Sequence, residues 1–334
     1  MIAACRRQPV DRPPAWMMRQ AGRYLPEYRA ERDGKSFLEM CRTPSVAAEI
    51  TCQPIRRFGM DVAVIFSDIL VPPAAMGLDV SFHEGVGPKI TPTVRTDEDI
   101  DALRDFDPAK ETGFLGEAIR MVRQEIGEER AIIGFCGAPL TTASYMIEGA
   151  SSKNYEYTKA MMYGEPERFD RLLTRMVDNL IPYLAMQVDA GADVLQVFDS
   201  WGGTLDAETY RRVLLPQMKR LVEGAQATGV PVVVYLNGGA HLLEVMADTG
   251  ADVLGVDWRV DPKDAIARVG DRVAFQGNLD PCVLFAPPEA VVRETRAVLD
   301  KFADAEGYIF NLGSGILPKT PVESVEAMFA EVLE

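Results

Sequence analysis

Short apolar runs rich in Val, Ile and Phe recur along the 334 residues, separated by longer segments with helical spacing. Runs at 15–18, 61–66, 131–135, 193–198, 230–235, 252–256, 272–276 and 308–311 are close to continuously apolar. That pattern predicts parallel strands, which helices cover on the outside and which therefore meet no water on either face. Helical spacing fills the gaps, for example over 210–227, 240–248 and 288–302. Alternating β and α elements over this length predict an α/β protein, a single (β/α)8 TIM barrel occupying residues 1–334. The runner-up, a doubly wound open sheet, lacks a Gly-x-Gly-x-x-Gly turn after the first strand.

Internal echoes fit a repeated unit. Ala190-Gly-Ala-Asp-Val-Leu195 and Thr249-Gly-Ala-Asp-Val-Leu254 read as the same helix-to-strand junction, and Phe58-Gly-Met-Asp-Val62 is a looser copy. Glycine permits a left-handed turn after the helix, and Asp then opens the strand.

In such a barrel the site lies at the C-terminal ends of the strands. The residues that follow the runs are Arg19, Gln20 and Arg23; Ser67 and Asp68; Cys136, Gly137 and Thr141; Asp199 and Ser200; Asn237; Asp257 and Arg259; Asn278 and Asp280; Asn311 and Ser314. Asp257, Asn278 and Asp280 suit turns and helix caps as well as a ligand. Arg19 and Arg23 flank a small Gln-Ala-Gly centre, and a guanidinium fork fits carboxylate or phosphate. They read either as surface ion-pair partners or as a site for an anionic ligand. Asp68 follows an apolar strand, where an ionised carboxylate needs donors. It reads as a helix cap, an arginine partner or a ligand group.

The formal net charge is −15, with 47% hydrophobic and 25% charged residues. That balance argues against nucleic acid, which needs a basic face. A small anion is still admissible, because the field of a cleft matters more than net charge. No apolar run reaches the roughly 18–20 residues of a membrane span. The start lacks the order of a secretory signal. Five scattered cysteines form no Cys-x-x-Cys, so reduced thiols in the cytosol are expected.

Several motifs, in order from about Pro9 to the C-terminus, resemble the uroporphyrinogen decarboxylase family. They are Arg19-Gln-Ala-Gly-Arg23-Tyr-Leu-Pro-Glu-Tyr28, Phe66-Ser-Asp-Ile-Leu70, Gly134-Phe-Cys-Gly-Ala-Pro139 with Ala143-Ser-Tyr-Met146 and Glu148-Gly149, and Phe310-Asn-Leu-Gly-Ser-Gly-Ile-Leu-Pro318. The resemblance implies a (β/α)8 barrel, a cytoplasmic homodimer, and removal of four acetate carboxyls from uroporphyrinogen III to give coproporphyrinogen III in haem biosynthesis. It implies no cofactor and no metal. By the same resemblance Asp68 gathers the pyrrole N–H groups, and Arg19 and Arg23 hold substrate carboxylates. Asp68, Arg19 and Tyr145 are the expected catalytic residues. Gln20, Ala21, Gly22, Phe135, Phe198, Ser200 and Ser314 complete the expected substrate contacts.

One position departs from the family pattern. Asn311-Leu-Gly-Ser-Gly315 stands where the family normally has Asn-Leu-Gly-His-Gly. A serine cannot titrate near neutral pH. The two histidines are His83, expected in a solvated loop over 82–88, and His241, expected to open a helix. Two competing functions are a zinc-dependent methyltransferase on the same barrel and a non-catalytic tetrapyrrole binder. The first needs a His-x-Cys site, and neither histidine has a cysteine two residues on.

Overall fold

The computed structural model describes residues 1–83 and 87–334. Strand β1 (Val62–Val64) is followed by an antiparallel hairpin, β2 (Asp79–His83) and β3 (Gly87–Thr91). Then come β4 (Ala131–Gly137), β5 (Val194–Asp199), β6 (Val232–Leu236), β7 (Val253–Val256), β8 (Ala274–Leu279) and β9 (Tyr308–Leu312). Strand β1 and strands β4 to β9 form one parallel seven-stranded sheet in the order β1-β4-β5-β6-β7-β8-β9. The expected run at 15–18 is not a strand. It contributes one parallel bridge, Ala15 to Phe310, so the strands themselves do not close a ring. The hairpin is an addition that the pattern did not predict; it falls on 82–88, where a loop was expected. Residues 84–86 of that expected loop lie outside the described residues.

The sheet curls. Inward side chains from every one of its strands, including Val62, Ile133, Val194, Val233, Val253, Ala274 and Ile309, pack in one cluster with Trp16 and Met18. In a flat sheet, β1 and β9 would stand roughly 28 Å apart at about 4.7 Å per strand. The inner face also carries amides. Trp16 Nε1 donates to Gln276 Oε1 at 3.0 Å, and Gln276 Nε2 donates to Gln196 Oε1 at 3.2 Å. A buried amide left without partners costs about 1–3 kcal/mol, so this chain fixes how β5, β8 and Trp16 face one another. The short helix Ile2–Cys5 adds Ala4 and Cys5 to the same cluster. A second, larger core fills the space between the sheet and the outer helices.

The echoed junctions have a physical basis. Gly59, Gly191 and Gly250 take φ of 70°, 117° and 83°. The aspartate that follows then makes a two-point bond with its neighbour. Asp193 N–H donates to the Ile132 carbonyl and Asp193 Oδ2 accepts from Ile132 N–H. Asp252 does the same with Val232, and Asp61 does the same with Ala15. Thus Ala15 meets Asp61 as one neighbouring strand meets the next. On its other side Trp16 N–H donates to the Phe310 carbonyl and Phe310 N–H to the Pro14 carbonyl.

The helices largely follow the expected pattern. The 210–227 segment breaks at Leu214 into Ala207–Val213 and Leu215–Gln226. The 240–248 segment begins as a 3-10 turn, Ala240–Leu242, before Leu243–Ala247. Pro288–Lys301 agrees with the expected 288–302. No described helix is long and apolar enough to cross a membrane.

Candidate active site

Just beyond the strand ends, Arg19, Asp68 and Tyr145 lie close enough for their charges to act on one another. Arg19 comes first in the chain. Its φ of 61° is a left-handed conformation, uncommon for a side chain of this size. Its neighbours explain why it is held there. Met18 N–H donates to Asn311 Oδ1 at 2.9 Å, and the Met18 carbonyl accepts from Ile316 N–H at 3.0 Å. The chain is thus pinned to both ends of the 311–316 segment. The Arg19 stem lies on Gly315, where a Cβ would come within 2.6 Å of its Cδ. The guanidinium is exposed and has no ion-pair partner among the described residues.

Asp68 follows β1 and precedes the helix Val71–Ala75. It is not that helix's cap, a position held by Leu70. Its Oδ1 accepts from Leu70 N–H at 2.8 Å. No arginine or lysine forms an ion pair with it among the described residues. Burial pushes its carboxyl up to about 6, against the pull of the Leu70 N–H and the charge of Arg19. Part of its surface stays open, so the push comes from the packed shell rather than from full enclosure.

Tyr145 lies on the helix Pro139–Glu148, half-buried, with its ring 6.1 Å from that of Trp201. Burial and the charge of Asp68 raise its phenol. It therefore remains a hydrogen-bond donor at neutral pH. Phe135 and Phe198 form an edge-on pair with centroids 5.4 Å apart. Phe198 meets Tyr235 next, at 6.0 Å. These rings make a continuous apolar wall from β4 to β6. Ser314 is half-buried in the turn after β9, next to Gly313, whose carbonyl accepts from the Tyr235 hydroxyl at 3.0 Å.

Other expected contacts are placed differently. Gln20 is 2% exposed, with Nε2 donating to the Val62 carbonyl. It ties the arginine loop to β1; only its Oε1 lacks a partner. Ala21 and Gly22 are half-exposed, and the Gly22 carbonyl accepts from Leu25 N–H as the loop turns into the helix Pro26–Arg32. Arg23 is exposed, and its charge acts on Tyr28 rather than on Asp68. Ser200 is half-buried, and its N–H donates to Thr141 Oγ1.

The remaining polar residues brace loops. Asp199 is buried and accepts from Thr141, Gly202 and Tyr210. Asp257 is buried against Gly238 N–H and Arg259. Asn278 holds the Asp257 and Val260 carbonyls, and Asp280 caps Cys282 N–H. His241 Nε2 bonds the Leu205 carbonyl at 2.8 Å. The backbone of His83 ends β2. Among the described residues no three His, Cys, Asp or Glu side chains gather where they could hold a metal ion.

A family profile described as uroporphyrinogen decarboxylase (URO-D) matches residues 1–334. The chain belongs to the uroporphyrinogen decarboxylase family. It is 46% identical to a protein of that name from Chromohalobacter salexigens, over 100% of this chain and 96% of that one. The identity is 47% to its counterpart from Myxococcus xanthus, covering 99% and 95%, and 47% to that from Streptomyces coelicolor, covering 97% and 91%. Among solved structures, a methyltransferase from Methanosarcina mazei superimposes with a TM-score of 0.85 at 21% identity, covering 99% and 96%. At that identity the likeness speaks for the fold alone.

Tyr235 stands beside Phe198 on the apolar wall and is not among the residues that the sequence singles out. It was counted as the last residue of a strand. Only the register shows it: Phe198 and Tyr235 are paired across β5 and β6, so the wall that includes Phe198 continues into Tyr235.

Proposed function

We propose that this chain removes the four acetate carboxyls of uroporphyrinogen III, yielding coproporphyrinogen III, with no cofactor. The observation that carries the reading is Asp68. Among the described residues its carboxylate has no ion-pair partner, and it is buried enough to be pushed up while feeling the charge of Arg19, in a chain that matches the family over its full length. Such a group has unused acceptor capacity, and pyrrole N–H groups would use it.

The chemistry follows from the substrate. An acetate on a pyrrole has no good sink for the electrons that carbon dioxide leaves behind. Protonation of the adjacent ring carbon makes a cationic imine. The bond to the carboxyl carbon then breaks, its electrons flow into that cation, and carbon dioxide departs. A second proton adds to the exocyclic carbon, giving a methyl group, and the ring releases one proton as aromaticity returns. The net uptake is one proton per carboxylate lost. Asp68 supplies fixed negative charge where the cation develops. Arg19 and Arg23 hold carboxylates, Tyr145 donates to another, and Phe135 and Phe198 offer the apolar wall.

The same reading takes residues 1–334 as one domain, a (β/α)8 barrel in which the segment around Ala15 serves as the eighth stave. Support comes from the bonds Ala15 makes to Asp61, which repeat those between other neighbouring strands. A homodimer in the cytosol completes it, by family resemblance.

Anaerobic incubation with uroporphyrinogen III tests the function. The expected result is four carbon dioxide molecules released per coproporphyrinogen III formed, undiminished by a metal chelator. Binding without release would contradict it and favour a tetrapyrrole-binding protein.

A further inference from the structure

Tyr235 ends the inner face of β6, with its ring against Phe198 and its hydroxyl in the turn after β9. The hydroxyl donates to the Gly313 carbonyl at 3.0 Å. The same turn is tied at its other corners. Gly313 N–H donates to the Leu279 carbonyl at 2.7 Å, and Ile316 N–H to the Met18 carbonyl at 3.0 Å. Gly313 admits no side chain, since a Cβ would fall 2.3 Å from Trp258 N. Gly315 then presents its bare Cα to the stem of Arg19.

We infer that Tyr235 is a positioning residue: its hydroxyl fixes the 313–315 turn, and the turn seats Arg19. This rests on the proposed decarboxylation for its substrate, though not for its geometry. Three features support it. Arg19 is exposed and has no ion-pair partner among the described residues, so packing of its stem must set its direction. The packing surface is a glycine, which adds no side chain of its own. And the Tyr235 hydroxyl, donating to the Gly313 carbonyl, ties the turn to a strand of the sheet. A phenol donating to a carbonyl does not change charge near neutral pH. It holds the turn equally on both sides of pH 7.

The test is the binding of coproporphyrinogen III under anaerobic conditions, read beside KM and kcat for uroporphyrinogen III. Tyr235→Phe keeps the ring and removes the hydroxyl. The expected result is a Kd and KM raised about fivefold to tenfold with kcat within about twofold, and a change below about twofold on an Arg19→Ala background. An unchanged Kd, or the same loss on both backgrounds, would overturn the inference. Gly315→Ala provides a second route if Tyr235→Phe does not fold. It should also weaken binding, and only while Arg19 is present; unchanged binding would contradict the seat. A wild-type enzyme that binds without turnover would refute the proposed reaction and leave the Kd comparison intact.

Discussion

Arg19 lies close enough to Asp68 for its charge to act there, yet the two do not close an ion pair. The charge of Arg19 pulls the Asp68 carboxyl down, yet burial outweighs it and leaves that group near 6. Each keeps its capacity for a ligand. A direct pair would have satisfied both and left less for a substrate that brings carboxylates and pyrrole N–H groups together.

Losing one charge-assisted contact costs about 1.5–3 kcal/mol, or roughly 10-fold to 150-fold. Arg19→Ala and Arg23→Ala are therefore expected to raise KM by such factors with little change in Tm, because neither guanidinium holds the fold. Steady-state kinetics with thermal unfolding checks this. Wild-type KM in both variants would remove the arginines from the site.

The raised carboxyl of Asp68 sets a pH window. Above about 6 it carries the charge that the reaction needs, and below that it is protonated. The profile of kcat/KM is expected to fall on the acid side of about 6. Arg19→Ala removes a pull that lowers the group, so residual activity should show that limb moved to higher pH. An acid limb left in place by Arg19→Ala would separate the two residues.

Stability should respond with the opposite preference. A carboxyl raised from 3.8 to about 6 by folding contributes stability that is fully present below 3.8 and lost as pH rises through 6. The ionised group therefore costs the fold at neutral pH, by roughly 3 kcal/mol at most. Asp68→Asn keeps an acceptor for Leu70 N–H and removes that charge. It is expected to raise Tm at pH 7 and to lose the advantage towards pH 4. A lower Tm at pH 7 would instead mark Asp68 as a structural brace.

Much of this arrangement is legible in the chain. Apolar runs located the seven strands because buried parallel strands need apolar side chains on both faces. The run at 15–18 was misread as a full strand: it has the composition, but its backbone pairs at Ala15 and Trp16 and then turns at Arg19 to meet 311–316. The hairpin at 79–91 was passed over although Asp79-Val-Ser-Phe-His83 alternates polar and apolar, because that run is short and its partner opens on Gly87 and Pro88, poor strand residues. Asp68 and Arg19 were recognisable by position. Gln20 was not readable as a buried brace, since its role depends on the Val62 carbonyl, 42 residues away. Tyr235 was missed because a strand-ending tyrosine looks like core until its register partner is known.

Assembly is a separate question with a direct readout. By family resemblance a homodimer is expected, and sedimentation at micromolar protein should give twice the 36.8 kDa chain mass. A monomer across that range would contradict it.

The central claim is that the charge of Asp68 serves the cationic intermediate. The most direct measurement compares kcat and binding for Asp68→Asn and Asp68→Glu under anaerobic conditions. Asp68→Glu keeps the charge one methylene further out and should retain binding with a reduced rate. Asp68→Asn keeps size and an acceptor, and should lose turnover far more than binding, because the charge matters most when the ring is cationic. Folded Asp68→Asn protein decarboxylating at the wild-type rate would contradict the account.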